Sequence, residues 1–434
     1  MIKLHPIADA NHVCPYCHIP LRIIDWYMPG MRCLADLHCD QCRRDYYGDL
    51  LSGHGLYEPL LLDKSTGEVV YNPTHNAWWE QWMSDSYANR TDTPLPFEVK
   101  SFRPLRSEAV LLNCLDTLYG HCLLKLLNAQ YYLDHHPELD LILIIPRMFA
   151  WMVPQGVAEV WVVDLALKRG IEWNEWLADQ IHQRVELLEK CWLSVAYSHP
   201  HPRDFQIERF TSVQPFPLEA WSMRLAHPVI TFIWRDDRVW DRGWRRTLPQ
   251  RAVYRLRREL HLTHPPLMRQ KQNVIKLANA LRKALPTLEF TVVGLGKPGD
   301  LPSWIQDHRQ QKIDEKTERA WCALYALSQL VIGIHGSNML LPSAHAGSVI
   351  ELMPPRWGNI VQDLLLREID SRDALFRYRI LPQTTSPHLT ALIAVSLLQA
   401  YGDMRTRMGA DYLDHAATDF QAIPKILADY LRVG

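Results

Sequence analysis

The sequence predicts an α/β protein with two parallel-sheet units in tandem. Strand-length apolar runs alternate with stretches of helical periodicity, and the alternation occurs twice. The proline-rich segment SVQPFPLEAW at 212–221 separates the two rounds. The strands are continuously apolar rather than alternating, which implies sheets covered on both faces. Two such units imply a cleft, and open parallel sheets bind ligands beyond the carboxyl ends of their strands.

In the first round, LLNCLDTLYGHCLLKLLNAQYYLDHH carries apolar residues at helical spacing. LDLILIIP and VAEVWVVDL read as buried strands, and DQIHQRVELLEKCWLSV reads as a helix. The second round starts with the strand HPVITFIWR (227–235), followed by the amphipathic helix NVIKLANALRKAL, which Pro286 ends. LEFTVVGLG (288–296) is a strand closed by glycines, EKTERAWCALYALSQL a helix, and VIGI (331–334) and SVIEL (348–352) are strands. Residues 357–434 read as largely helical. Residues 56–105 hold Pro, Trp and Tyr with weak periodicity and read as irregular. We divide the chain into a cysteine-rich module (1–55), a first α/β domain (56–222), a second α/β domain (223–370) and C-terminal helices packing back on the domains (371–434).

With 434 residues the chain can build two or three domains. Lys and Arg number 47 against 48 Asp and Glu, so the net charge of −1 argues against a surface built wholly for nucleic acid, though not against a local basic patch. The start, MIKLHPIADANHVC, has no apolar signal core. No apolar run approaches the roughly 18 residues of a membrane span. Nine cysteines, an odd number concentrated toward the start of the chain, do not suit a secreted disulfide framework. These features point to a cytoplasmic protein.

CPYC (14–17) and CDQC (39–42) form a C-x2-C pair of pairs with 21 residues between them. Each tight turn aims two thiolates at one ion, and two turns complete a tetrahedral set suited to structural Zn2+, held by Cys14, Cys17, Cys39 and Cys42. Iron in a rubredoxin-like site and four free thiols are the alternatives. His18 and Arg43 stand where such knuckles often carry Gly, and Cys33, His12, His18 and His38 read as bystanders. A closed four-thiolate site leaves no position for substrate, so its metal is structural.

WRDDRVWDRGWRRTLPQRAVYRLRRE (234–259) holds nine arginines and three tryptophans and begins where a strand ends. Arginines there can hold phosphate oxygens bidentately, Arg235 first and Arg238 next. Alternatively the stretch is a solvated loop paired with Asp236, Asp237 and Asp241, or a basic, aromatic nucleic-acid surface. In LVIGIHGSNMLLPSAHAGSVIELMPP (330–355), VIGI ends at His335-Gly336, and Ser337 and Asn338 suit a helix start. Gly336 lets backbone approach a ligand, and the amides of the next turn attract an anion such as a diphosphate. Glu351 is placed to accept from ribose hydroxyls and His335 to contact phosphate or sugar. Gly294 and Lys297, in GLGKPGD, offer a second phosphate contact. The competing reading of the segment is a plain strand-turn-helix with a partly buried histidine. What favours a site is placement, since Arg235, Gly294, His335 and Glu351 all fall at strand carboxyl ends of one sheet.

The string G-I-H-G-S-N-M-L-L-P…G-S-V-I-E-L-M-P resembles the pattern of glycosyltransferase family 61, as do FIWRDDRVWD and YGHCLLKLLNAQYYL (119–133). The resemblance covers roughly residues 105–365. Ser337-Asn338 stand for the family's usual Ala-Gly, Leu341 where an Asn is often seen, and Cys122 for Trp. The resemblance implies a GT-B fold, two Rossmann-like domains facing across a cleft, with a nucleotide-sugar on the second. It implies inverting transfer without a catalytic metal, from a UDP- or GDP-type donor to a hydroxyl of a glycan, protein or other acceptor. Arginines and exposed amides then stabilise the leaving diphosphate. The acceptor hydroxyl needs a base from the first domain, for which His121 is the motif-level candidate; a packed structural histidine is the alternative there. The rival function is a nucleic-acid-binding protein using the cysteine module and the 234–259 stretch.

Overall fold

The computed structural model describes residues 1–196, 200–240, 265–354, 364–366 and 371–408. The chain divides into two compact units, Met1–Thr211 and Ser212–Gly434.

In the first unit the strands are β1 (Ile2–His5), β2 (Arg22–Tyr27), β3 (Leu34–His38), β4 (Asp45–Asp49), β5 (Leu61–Asp63), β6 (Val69–Tyr71), β7 (Phe97–Ser101), β8 (Glu108–Asn113), β9 (Asp140–Pro146), β10 (Glu159–Val163) and β11 (Lys190–Leu193). They form two sheets. One has the order β1-β11-β8-β9-β10-β7, and the other is the meander β2-β3-β4-β5-β6. In the first sheet β11, β8, β9 and β10 are mutually parallel, while β1 and β7 lie antiparallel on its two edges. β9 and β10 are buried at every residue, as parallel strands covered on both faces must be. The longer helices among the described residues of this unit are α1 (Ala77–Ala88), α2 (Tyr119–Leu127), α3 (Ala129–His135) and α4 (Glu175–Val185). The cysteine-bearing segment is not a separate bead. Leu34, Leu37 and Tyr46 share one hydrophobic cluster with Leu111, Ile142 and Trp161 of the parallel sheet.

The second unit has one sheet, from β12 (Val229–Trp234), β13 (Glu289–Leu295), β14 (Gln306–Gln310), β15 (Leu330–Ile334), β16 (Val349–Met353) and β17 (Tyr378–Pro382). The order is β14-β13-β12-β15-β16-β17, and every pairing is parallel. Counted within the unit this is 3-2-1-4-5-6, the doubly wound order of dinucleotide-binding sheets, and the winding reverses between β12 and β15. The helices Pro265–Ala284 and Pro387–Met408 bury Val274, Leu277 and Leu281, and Ala391, Ala394 and Leu398, in the core cluster of this sheet. The fold class read from the sequence, α/β with parallel sheets in both halves, is the one observed.

Three local expectations differ, and one further strand had no counterpart in the sequence reading. Residues 56–105 hold β5, β6, α1 and β7 rather than irregular chain. Two of those strands have three residues each, too short for a period to show, and each gains its order from a partner strand. The helix read through DQIHQRVELLEKCWLSV stops at Val185, and KCWL becomes β11, enclosed between β1 and β8. QDHRQ, for which the sequence reading made no assignment, is the edge strand β14. YRILP, in the tail read as helical, closes the other edge as β17. No helix among the described residues is long and apolar enough to cross a membrane.

At the end of β13, Gly294 adopts φ +120°, and a Cβ there would strike the Trp234 carbonyl of β12. The Gly294→Ala variant loses about 1–3 kcal/mol or more from backbone strain alone, which urea unfolding measures.

Candidate functional site

The winding of the second sheet reverses between β12 and β15, and ligands of such sheets bind beyond the carboxyl ends of the strands at that point. Arg235 and Arg238 follow β12; His335, Gly336 and Asn338 follow β15. Gly336 adopts φ +146°. The space a Cβ would take there is filled by Nη1 of Arg238 and by Nη1 of Arg235, the latter 2.8 Å from that position. Arg238 Nη1 donates to the His335 carbonyl at 2.7 Å, and Arg235 Nη1 donates to Asn338 Oδ1. Two guanidiniums thus converge on one glycine at the reversal.

The loop that carries them is fixed from behind. Buried Gln270 donates to the Arg235 carbonyl at 2.8 Å and accepts from the Trp240 amide at 2.7 Å. Asn273 donates to the Trp240 carbonyl at 2.9 Å, and Gln383 donates to the Val239 carbonyl. Trp240 stacks on Phe232 of β12, with ring centroids 5.9 Å apart.

The Nε and Nη2 edge of Arg235 donates to both oxygens of Asp237, at 2.7 and 2.5 Å. The pairing with Asp237 anticipated for this loop is therefore present. Asp237 is 56% exposed. Arg235 is only 17% exposed, so the pair is open to solvent on its carboxylate side alone. The fork already grips a planar oxyanion in the geometry a phosphate uses.

Ser337 and Asn338 do not cap the following turn: no side chain caps it, and Asn338 turns to Arg235 instead. The helix there, Leu340–His345, is a short one. Cation side chains therefore dominate the rim, more than a helix end does. Glu351 lies inside β16 and is fully buried, as is His335, and His335 Nδ1 lies 2.5 Å from Glu351 Oε2. The two side chains point at each other within the buried interior of the unit. Gly294 sits at the end of β13 beside Trp234. Lys297 is exposed and makes no hydrogen bond or ion pair among the described residues. Its loop is held by Asp307, which accepts from the Gly299 amide at 2.8 Å, and by Arg309, which pairs with Asp300 and Asp307 and stacks on Trp234 at 4.5 Å. Residues 241–259 of the arginine stretch lie outside the described residues.

The first unit holds a second polar centre. His121, on the first turn of α2, lies with Nδ1 3.2 Å from Asp116 Oδ1. Asp116, fully buried, has Oδ2 3.0 Å from His54 Nε2 and 2.9 Å from Lys125 Nζ. Lys125 is also fully buried and donates to the Leu115 carbonyl at 2.9 Å. Burial pushes the Asp116 carboxyl up, but Lys125 and the two imidazoles outweigh it and hold the group well below the usual carboxylate range. Burial lowers His54 below its ordinary 6.5, against the pull of Asp116. Sequence reading found His121 but missed Asp116, Lys125 and His54. Asp116, five residues before His121 at the strand-to-helix turn, was the available signal. One side-chain nitrogen or oxygen from each of His54, Asp116 and His121 lies within 4.8 Å of the others, a cluster that could hold a metal ion. The Lys125 ammonium opposes that use: like charges 4 Å apart repel by about 4 kcal/mol per unit charge at the dielectric of a protein surface.

The cysteine cluster is built as its spacing predicts. The Sγ atoms of Cys14, Cys17, Cys39 and Cys42 lie within 4.8 Å of one another, and those of Cys14 and Cys42 are 3.7 Å apart. A tetrahedron with Zn–S of about 2.3 Å requires edges near that value. The knuckles are alike: the His18 and Arg43 amides return to the Cys14 and Cys39 carbonyls, and His18 and Arg43 adopt φ +57° and +61°, the conformation glycine usually supplies. Tyr46 Oη lies 3.5 Å from Cys14 Sγ. The four thiols fit a structural Zn2+. His12, His38 and Cys33 are occupied elsewhere, by Asp49, Asp45 and Asn113.

No family model matches the chain, and no curated protein matches it. Among solved structures, E. coli ADP-heptose LPS heptosyltransferase II is similar at 10% identity and TM-score 0.36, over 67% of this chain and 98% of that one. E. coli heptosyltransferase WaaC with ADP is similar at 12% identity and TM-score 0.38, over 68% and 99%. The glycosyltransferase SnogD from Streptomyces nogalater is similar at 12% identity and TM-score 0.24, over 68% and 76%. Likenesses at this level carry no information on activity.

Glu351→Ala removes a buried hydrogen-bond partner of His335 and destabilises the second unit by about 1–3 kcal/mol, measured by denaturant unfolding. A structural Zn2+ at the four thiols predicts one zinc per chain by elemental analysis of the purified protein. Cys39→Ala lowers that content and the Tm together, because metal affinity in such modules is folding energy.

Proposed function

We propose that this chain is a glycosyltransferase that moves a sugar from a nucleotide-sugar donor to a hydroxyl acceptor with inversion, related to glycosyltransferase family 61 and using no catalytic metal. The observation that carries the reading is the convergence of Arg235 and Arg238 on Gly336 at the point where the 3-2-1-4-5-6 sheet reverses. A nucleoside diphosphate suits that place, because the crevice at a reversal accepts a dinucleotide-like shape and the guanidiniums meet its charge.

In this reading Arg235 and Arg238, with the Gly336–Asn338 backbone, hold the donor diphosphate. They stabilise the charge that builds as the bond to the sugar breaks, the task a divalent cation performs elsewhere. Asp237 is the resting counter-ion that the diphosphate replaces. His335 and Glu351 are locked together in the buried interior, and Lys297 is near enough in sequence to the rim to add a further contact. His121, held by Asp116, stands on the acceptor side. The division of labour follows the division of the chain, with the donor in 223–370 and the acceptor side in 56–222. The zinc-bearing module is a structural staple. The donor base is of the UDP or GDP type, and the protein works in the cytoplasm.

UDP and GDP raise the Tm by several degrees, and short oligonucleotides at low and high salt do not. Arg235→Ala and Arg238→Ala each weaken the nucleotide by about 10- to 100-fold, the value of a charged hydrogen bond, and Gly336→Ala abolishes the shift by displacing both guanidiniums. A salt-sensitive oligonucleotide shift with no response to UDP or GDP would instead favour nucleic-acid binding.

A further inference from the structure

We propose that Tyr46 is a positioning residue of the metal centre: its phenol donates an O–H···S hydrogen bond to the Cys14 thiolate and holds that sulfur on the metal. This rests on the reading of the four cysteines as a structural Zn2+ site and is independent of the transferase reading.

Tyr46 is the second residue of β4, and its side chain is fully buried. Its Oη lies 3.5 Å from Cys14 Sγ, and both groups are buried. The Cys42 sulfur, 3.7 Å from that of Cys14, also interacts with the phenol. The hydroxyl therefore sits against one edge of the sulfur cluster. A buried Tyr hydroxyl usually has a hydrogen-bond partner, and sulfur is the partner here.

The direction of the bond follows from the chemistry. A phenol keeps its proton at neutral pH, since its ordinary pKa is about 10. A thiolate bound to a metal has no proton to give and only accepts. The O–H therefore points at the sulfur in the loaded site.

Charge supplies the reason for such a donor. Four thiolates bring four negative charges against the two positive charges of Zn2+. Cys17 and Cys42 are half-buried, but Cys14 and Cys39 are fully buried and depend on protein donors. The Tyr16 and Cys17 amides serve Cys14, and the Gln41 and Cys42 amides serve Cys39 in the same way. The phenol is what distinguishes Cys14 from its counterpart.

Tyr46 is held from outside the metal loops. Its backbone pairs with Leu37 of β3 and Asp63 of β5. Its ring lies in the hydrophobic cluster that the meander shares with Leu111, Ile142 and Trp161 of the parallel sheet. The core thus fixes the hydroxyl, and the hydroxyl fixes Cys14. Successive residues of a strand face opposite ways, and the next residue, Tyr47, stacks its ring on Tyr27 at 5.4 Å.

The test uses the full chain produced in zinc- or cobalt-supplemented medium. Tyr46→Phe removes the hydroxyl and keeps the ring, and Tyr47→Phe is the control. Tyr46→Phe weakens zinc by about 10- to 100-fold in competition with a chelator. In its cobalt form the thiolate-to-metal charge-transfer band moves to longer wavelength, because a sulfur relieved of a donor holds its electrons less tightly. Tyr47→Phe changes neither. An unmoved band in Tyr46→Phe overturns the proposal whatever the affinity does, since a residue that only packs leaves the sulfur's electrons alone. An equal shift in Tyr47→Phe overturns it as well. If Tyr46→Phe does not fold, the wild type decides. Loaded with cadmium-113, it shows a slowly exchanging tyrosine hydroxyl proton with scalar coupling to the metal, and a spectrum without that proton overturns the proposal. A wild type that binds none of these ions removes the four-sulfur metal reading itself.

Discussion

Two guanidinium nitrogens occupy the volume that a side chain at residue 336 would fill, and only glycine leaves that volume empty. The rest of the second unit's rim follows from this exclusion. Directly after β15 the backbone at Gly336 holds φ +146°, a region that favours glycine. There the His335 carbonyl faces Arg238 and the Asn338 amide oxygen faces Arg235. Repulsion between two like charges at such range is tolerable only because carbonyl, amide and carboxylate oxygens surround them. A diphosphate supplies the same kind of oxygen, with more charge.

Much of this frame was legible in the residues. Continuous apolar strands such as LILIIP and VITFIW announced parallel sheets, because burial on both faces leaves no alternation to see. The paired C-x2-C knuckles announced a four-sulfur cluster, since each pair defines its own turn. Arg235 and Gly336 were legible from where they fall, at strand ends. The strands β11, β14 and β17 were hidden. They are short or polar and owe their conformation to neighbours distant in sequence, which no local pattern records.

The acceptor-side centre was the least legible part. His121 stood in a motif, yet Asp116, Lys125 and His54 come from a strand end, the buried face of a helix and a turn of the meander. Nothing in one dimension joins residues 54 and 116. The same holds for Gln270 and Gln383, ordinary polar residues that bind the backbone of the 235–240 loop. Glu351 shows the converse. Its place in V-I-E-L suggested a strand end, but the register pairs it with Gly333 inside the sheet, where His335 meets it.

The antiparallel seat of β1 on β11 has a consequence for how the first unit comes into being. Ile2 stands opposite Leu193, so the opening residues of the chain find their partner only after some 190 residues have been made. Without β1, β11 has a bare ladder of amides and carbonyls on that side. Closing so long a loop is entropically slow, and an unpaired ladder is a template for strands of other molecules. The first five residues, far from both polar centres in sequence, therefore act as the seal that keeps a nascent sheet from pairing with its neighbours.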